Sequence, residues 1–313
     1  MANKMKKTVL SCLIIICLLC STLAAGCSLD DVTAEQEPIQ LEDIVNERDN
    51  LYSCVFDGVK HNFILYLPET PQGAPLIVML HGYGESAAAF RGAVQIEDQA
   101  NPLGYAVVYV SGAPDPTDST SAPGWNSGIS ANGGGNKDVE FLSALAEHLT
   151  AEFSLDKSRV YAVGFSNGAF MTHRLAMDAG DVFSAVVSVA GKMPASVWER
   201  RREKNDVGFF QITGEKDDVV PKKRDGSVKY SKDPAIEDVM EYWASSDGLT
   251  ISDTIEVGHD STLTKYTDED GGKQVWHLCV KGGRHSWPSE QFAGFDANKL
   301  ILEFLETQKA PQE

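Results

Sequence analysis

The sequence predicts an α/β protein in which a mostly parallel central sheet carries helices on both faces. Three observations point there. Five continuous apolar runs, suited to strands buried on both faces, alternate with stretches of helical periodicity. Antiparallel hairpin signals stand before and after that alternation. Between one apolar run and one helical stretch lies Gly164-Phe165-Ser166-Asn167-Gly168, a G-x-S-x-G pentapeptide in the strand, turn, helix setting that gives it chemical meaning.

Taken in order, the chain opens on a leader. Lys4, Lys6 and Lys7 precede an apolar stretch, Val9 to Leu19, too short to favour a membrane span. Leu23-Ala24-Ala25-Gly26-Cys27 follows and resembles a bacterial lipoprotein signal, in which Cys27 becomes the lipidated first residue. Ala24 stands where such signals usually carry leucine, and an ordinary secretion signal is the alternative. Both readings take the protein out of the cytoplasm, and the first anchors it to a membrane through lipid alone. Residues 28–50 are polar and acidic without a strand pattern and are expected to form a flexible tether. Residues 51–313 are expected to form one catalytic domain.

Within it, Leu51–Phe56 and Lys60–Leu67 flank Asp57-Gly58, a hairpin signal. The buried strands are Pro75–Leu80, Ala106–Val110, Val160–Val163, Ala185–Val189 and Gly208–Ile212. Helices are expected over Ser86–Gln99, Val139–Phe153, Asn167–Ala179 and Ile236–Ser245. Thr262–Thr267 and Gln274–Val280 bracket an Asp/Gly turn as a second hairpin, and Asp296–Thr307 closes as a helix with Leu300, Ile301, Phe304 and Leu305 on one face.

The formal charge of −18 argues against nucleic acid and anionic polymers as partners. Arg200-Arg201-Arg202 is a local solvated run. Once the leader and Cys27 are set aside, Cys54 and Cys279 remain. They fall in the first and last strands, at opposite edges of the sheet and beyond the ~7 Å reach of a disulfide, so both are expected as buried free thiols. No His, Cys and Asp cluster has metal-ligand spacing, and no cofactor is expected. Asn132-Gly133-Gly134-Gly135 lacks the Lys-Ser/Thr that a phosphate loop requires.

A serine hydroxyl becomes a useful nucleophile only when a base takes its proton and a third group orients that base. For Ser166 on such an elbow the expected order is serine, acid, histidine. His285, in Gly282-Gly283-Arg284-His285-Ser286-Trp287-Pro288 after the last strand, is the favoured base. His259 is the alternative, and His277 lies inside a strand run. Gly214-Glu215-Lys216-Asp217-Asp218 follows the strand ending near Thr213 and offers three carboxylates, of which Asp217 is preferred. The oxyanion formed on attack needs two backbone N–H donors. Asn167 supplies one, and Tyr83, in His81-Gly82-Tyr83-Gly84, the other. His81 itself is expected to pack beneath that loop.

Further pieces run in the same order over nearly all of residues 52–306: Leu80–Ser86, Gly124-Trp125-Asn126, Lys137–Leu142, Ser158–Tyr161, Gly164–Ala169, Gly214–Pro221, Trp243-Ala244 and Gly283–Pro288. In these the chain resembles the α/β-hydrolase group that joins polyhydroxybutyrate-depolymerase-like proteins to the feruloyl and acetylxylan esterases of carbohydrate esterase family 1. The resemblance implies an α/β-hydrolase fold, an acyl-enzyme mechanism, and Ser166, Asp217 and His285 as nucleophile, acid and base. Ala169 stands where many relatives have glycine, and the chain lacks the cysteines for disulfides common in the group. The expected partner is an ester on plant polysaccharide, feruloyl before acetyl, with a polyhydroxyalkanoate as the alternative substrate. Trp125 and Trp287 could stack on a phenolic ring or sugar face or could wall the pocket. A non-catalytic glycan-binding lipoprotein is the reading from another class, and the Ser166, Asp217, His285 set speaks against it.

Overall fold

The computed structural model describes residues 40–129, 135–220, 232–269 and 272–308. The leader, Cys27 and residues 28–39 of the expected tether lie outside the described residues, as do 130–134 of the glycine-rich loop.

The described residues hold one sheet of eleven strands. In chain order these are β1 (Glu42–Arg48), β2 (Leu51–Phe56), β3 (Val59–Tyr66), β4 (Leu76–Leu80), β5 (Ala106–Val110), β6 (Val160–Phe165), β7 (Ala185–Val189), β8 (Gly208–Gly214), β9 (Ile251–Val257), β10 (Ser261–Thr267) and β11 (Val275–Val280). Their spatial order is β1-β2-β3-β5-β4-β6-β7-β8-β11-β10-β9. The centre, from β5 across to β11, is parallel throughout. Both flanks are antiparallel, β1-β2-β3 against β5 and β9-β10 against β11.

The central strands read as continuous apolar runs because both of their faces are covered. In β4, Leu76, Val78 and Leu80 enter one core while Ile77 and Met79 enter the other, as the two-residue period of a strand requires. Helices α3 (Asp138–Glu152), α4 (Asn167–Asp178) and α6 (Ile236–Ser246) cover the first face through Leu142, Leu145, Met171, Leu175, Val239 and Trp243. Helices α1 (Ala87–Val94), α2 (Glu97–Ala100) and α8 (Ala297–Thr307) cover the second through Phe90, Ala100, Ile301 and Phe304. Two single-turn helices, α5 (Ala195–Trp198) and α7 (Glu290–Ala293), lie in the loops after β7 and β11. None of the described helices is long and apolar enough to cross a membrane.

Three expectations need correction, and one strand is present where none was expected. The tether expected over 28–50 and the domain start at 51 conflict with β1, which pairs with β2 through Val45↔Ser53 and Asn46↔Tyr52. The helix expected over Ser86–Gln99 is two helices, because Gln95 takes a left-handed conformation (φ 49°) that ends α1. Strand β9 lies beyond the second hairpin and pairs with β10. Cys54 and Cys279 form no disulfide and sit in β2 and β11, neither of them an edge strand, with six strands between them, and only Cys54 is buried.

Candidate active site

The C-terminal ends of parallel strands are where an α/β sheet gathers its chemistry, and β6, β8 and β11 deliver one residue each. Between β6 and α4, Ser166 adopts φ 51° and ψ −115°, a strained backbone of a kind worth about 1–3 kcal/mol that only surrounding structure can hold. Its N–H donates to the Val189 carbonyl at 3.0 Å, and its own carbonyl accepts from Phe170 N–H at 3.0 Å. The flanking glycines are required by contact. A Cβ on Gly164 would fall 2.2 Å from the Gly168 carbonyl oxygen, and one on Gly168 would fall 2.2 Å from the Leu80 carbonyl oxygen.

The acid and base arrive on loops that touch. Lys216 N–H donates to the Gly283 carbonyl at 2.8 Å and Glu215 N–H to the Val280 carbonyl at 3.0 Å. This docking sorts the three candidate carboxylates. Glu215 turns outward to Lys281 and Gly282 N–H, and Asp218 is exposed. Asp217 is buried; its Oδ1 accepts from Val219 and Val220 N–H at 2.9 and 2.8 Å, and its Oδ2 lies 2.9 Å from His285 Nδ1. His285 Nε2 lies 2.9 Å from Ser166 Oγ. Because a carboxylate oxygen accepts, Nδ1 is the donating nitrogen and Nε2 is left to accept the serine hydroxyl hydrogen. The structure thus brings Ser166, His285 and Asp217 into one hydrogen-bonded line. The alternative base, His259, is exposed in the turn between β9 and β10, where its N–H donates to Ala293.

Tyr83 and Asn167 flank Ser166 from two elements. Asn167 opens α4, so its N–H belongs to the unpaired first turn of a helix. Tyr83 lies in the turn between β4 and α1, where a Cβ on Gly82 would lie 3.5 Å from Ser166 Cβ. His81 is buried, accepts Gly112 N–H at Nε2 and donates from Nδ1 to the Gly82 carbonyl. Burial pulls its pKa down to about 4, so it stays neutral and structural.

The two tryptophans part company. Trp125 is fully buried and its indole N–H donates to the His81 carbonyl at 2.9 Å, so it is no stacking surface, contrary to one of the two roles left open for it. Trp287 is half-buried, edge-on to Phe90, and donates to Asn298. It lines a cavity of about 360 Å³ together with Val189, Ile212, Val280, Phe292 and Ala293. Arg284 and Ser286, the neighbours of His285, also line it. Phe292, 80% exposed, escaped sequence reasoning because nothing in its local pattern separates it from a surface helix residue. Among the described residues no group of three or more His, Cys, Asp or Glu could hold a metal.

The known proteins to which the chain is similar include esterases. The model of the family described as "Esterase PHB depolymerase" matches residues 61–198. The chain is 29% identical over 251 residues to NocK of Nocardia uniformis subsp. tsuyamanensis, covering 72% of this chain and 69% of that one. It is 28% identical over 127 residues to feruloyl esterase B of Neurospora crassa, covering 40% of this chain but only 42% of that one. Its fold is similar to that of the acetyl xylan esterase from Aspergillus awamori, with a TM-score of 0.57 and 15% identity over 79% of this chain and 94% of that one.

Proposed function

We propose that the chain, whose residues 61–198 match the model of the family described as esterase PHB depolymerase, is a serine esterase that hydrolyses feruloyl or related esters of plant polysaccharide through Ser166, His285 and Asp217. The observation that carries the assignment of residues is the line Asp217 Oδ2, His285, Ser166 Oγ with 2.9 Å at each link.

Each group then has one task. Ser166 Oγ attacks the ester carbonyl carbon while its proton passes to His285 Nε2. Asp217 holds the imidazole and balances the charge it gains. The carbonyl oxygen, now an oxyanion, accepts hydrogen bonds from Tyr83 and Asn167 N–H. As the intermediate collapses, the C–O bond to the alcohol breaks and His285 returns the proton to the departing oxygen, leaving the acyl group on Ser166. Water, deprotonated by His285, repeats the sequence and releases the acid. No step calls on a cofactor.

The cavity beside the His285 loop supports an aromatic acyl group: Trp287 and Phe292 offer ring faces or edges, with Val189, Ile212 and Val280 as apolar walls. Exposed Tyr83, Val219 and Phe292 around the site favour a second reading, an apolar polyester such as a 3-hydroxyalkanoate oligomer. Lys4, Lys6, Lys7, the apolar stretch and Cys27 support export and lipid attachment at the Cys27 thiol.

The test is kcat/KM of residues 28–313 on methyl ferulate and on a 3-hydroxybutyrate oligomer. Ser166→Ala is expected to lower kcat by about 10⁴–10⁶ on whichever is turned over. Preference for the oligomer selects the second reading, and a Ser166→Ala variant of near wild-type activity removes the assigned nucleophile. In bacteria making the full chain, Cys27→Ser should move the protein out of the membrane fraction; an unchanged distribution rejects the anchor.

A further inference from the structure

An oxyanion site works only if its two donors keep their spacing while charge develops between them. Here the donors belong to different elements. Tyr83 sits in the turn after β4 and Asn167 at the start of α4. The β4–β6 pairing fixes only their roots, at Leu80↔Gly164.

Beyond the sheet, the segment 122–127 hydrogen-bonds to both. Trp125 N–H donates to Asn167 Oδ1 at 2.7 Å, and Asn167 Nδ2 donates to the Trp125 carbonyl at 3.3 Å and to Ser127 Oγ at 3.2 Å. The Trp125 indole N–H reaches the other way, to the His81 carbonyl at 2.9 Å. Next to it, Ala122 N–H donates to the Tyr83 hydroxyl and Gly84 N–H to the Pro123 carbonyl. Gly124 lies between the two donor residues: a Cβ there would fall 2.8 Å from the Tyr83 ring and 3.0 Å from Asn167 Oδ1. The segment is itself braced from behind, since Asn126 N–H donates to Oδ2 of the buried Asp138 side chain at 2.6 Å and the Asn126 carbonyl accepts from Arg174.

We propose that Trp125 is a positioning residue that clamps Tyr83 N–H and Asn167 N–H at a fixed separation, through its backbone to Asn167 and its indole to His81. This rests on the esterase reading. It assigns Trp125 a share in stabilising the transition state without any contact with substrate.

The experiment uses a small ester, 4-nitrophenyl acetate, that makes little demand on the acyl cavity, and a boronic acid whose tetrahedral adduct with Ser166 presents an anionic oxygen. Wild type against Ser166→Ala first establishes turnover at Ser166; equal rates there sink the esterase reading itself. Given that turnover, Trp125→Phe keeps the ring and loses the indole N–H. It should lower kcat about 10- to 100-fold, the scale of a sub-ångström to 1 Å misplacement, with KM within about twofold. Boronate affinity should fall by the same factor as kcat, which general loosening of the fold would not produce. A folded Trp125→Phe with wild-type kcat overturns the proposal, as does a rise in KM alone, which would mean that Trp125 touches substrate. Should Trp125→Phe not fold, Asn167→Ala removes the other half of the clamp while keeping the backbone N–H. It must show the same parallel loss, and wild-type kcat in that variant overturns the proposal equally.

Discussion

Ser166 was legible because its constraints are local. The elbow needs glycine two positions before and two after, and both contacts that forbid a Cβ there lie within a few residues or on the adjacent strand. Trp125 was not legible, because its partners Asn167 and His81 are 42 and 44 residues away; the sequence marks an unusual Gly-Trp-Asn and leaves open whether the ring meets substrate or protein. The same close packing yields a prediction. In Gly168→Ala the new methyl carbon would meet the Leu80 carbonyl oxygen at 2.2 Å and its carbon at 2.6 Å, both backbone atoms of a central strand that cannot step aside. Denaturant unfolding should show a loss of about 3 kcal/mol, the upper range for overpacking. A loss below ~1 kcal/mol would mean that the elbow relaxes and that its glycines serve something other than space.

The elements that sequence reasoning found and missed differ in what they bury. Strands β4, β5, β7 and β8 are buried at every position, so each shows as an apolar run. Strands β1 and β9 are the two edges of the sheet and are exposed at nearly every position. They bury little, Ile44 of β1 and Val257 of β9 packing partly against the cores, and so weak an apolar pattern does not announce a strand. The break between α1 and α2 was hidden for a related reason. Apolar periodicity runs on through Phe90, Val94 and Ile96, while the reversal is made by the backbone of exposed Gln95, whose N–H donates to the Arg91 carbonyl. A left-handed conformation costs a residue with a Cβ about 1–2 kcal/mol, and glycine is the usual occupant of such a helix end. Gln95→Gly should therefore raise stability by ~0.5–1 kcal/mol after the extra entropy of the unfolded glycine. Thermal melts with activity unchanged would bear this out, and a loss of stability would show that the Gln95 side chain matters more than its backbone.

Across the whole molecule, buried ionisable groups of two kinds set opposing limits on the pH of greatest stability. Burial pushes Asp138 up to about 7 and Asp247 up to about 8 from an ordinary 3.8. Both Asp247 oxygens lie buried with no hydrogen-bond partner among the described residues, at the C-terminal end of α6, where the helix dipole also opposes a negative charge. Asp206 adds repulsion and Lys273 only partly offsets it. The folded chain therefore retains protons on these carboxyls that the unfolded chain has released, and stability drains away as pH rises from ~4 through 8. Burial acts in the other sense on histidine: His61 is lowered, His81 falls to about 4 and His173 to about 3, from an ordinary 6.5. There the unfolded chain takes up protons first, and stability is lost as pH falls below ~6.5. Between ~4 and 6.5 the two sets oppose each other; above 6.5 only the carboxyls act. The melting temperature should thus peak near pH 6 and decline by pH 8, well before the Cys54 thiol, pushed up to about 11 by burial, adds its own alkaline loss. Asp247→Asn removes one titrating group and should flatten the decline between pH 6.5 and 8.5 while leaving the acid limb in place. A wild-type curve already flat over that interval would show that the buried carboxyls are not coupled to folding. An unflattened limb in the variant would assign the alkaline loss to Asp138 alone, on the brace behind Trp125, and stability and kcat should then decline together with rising pH.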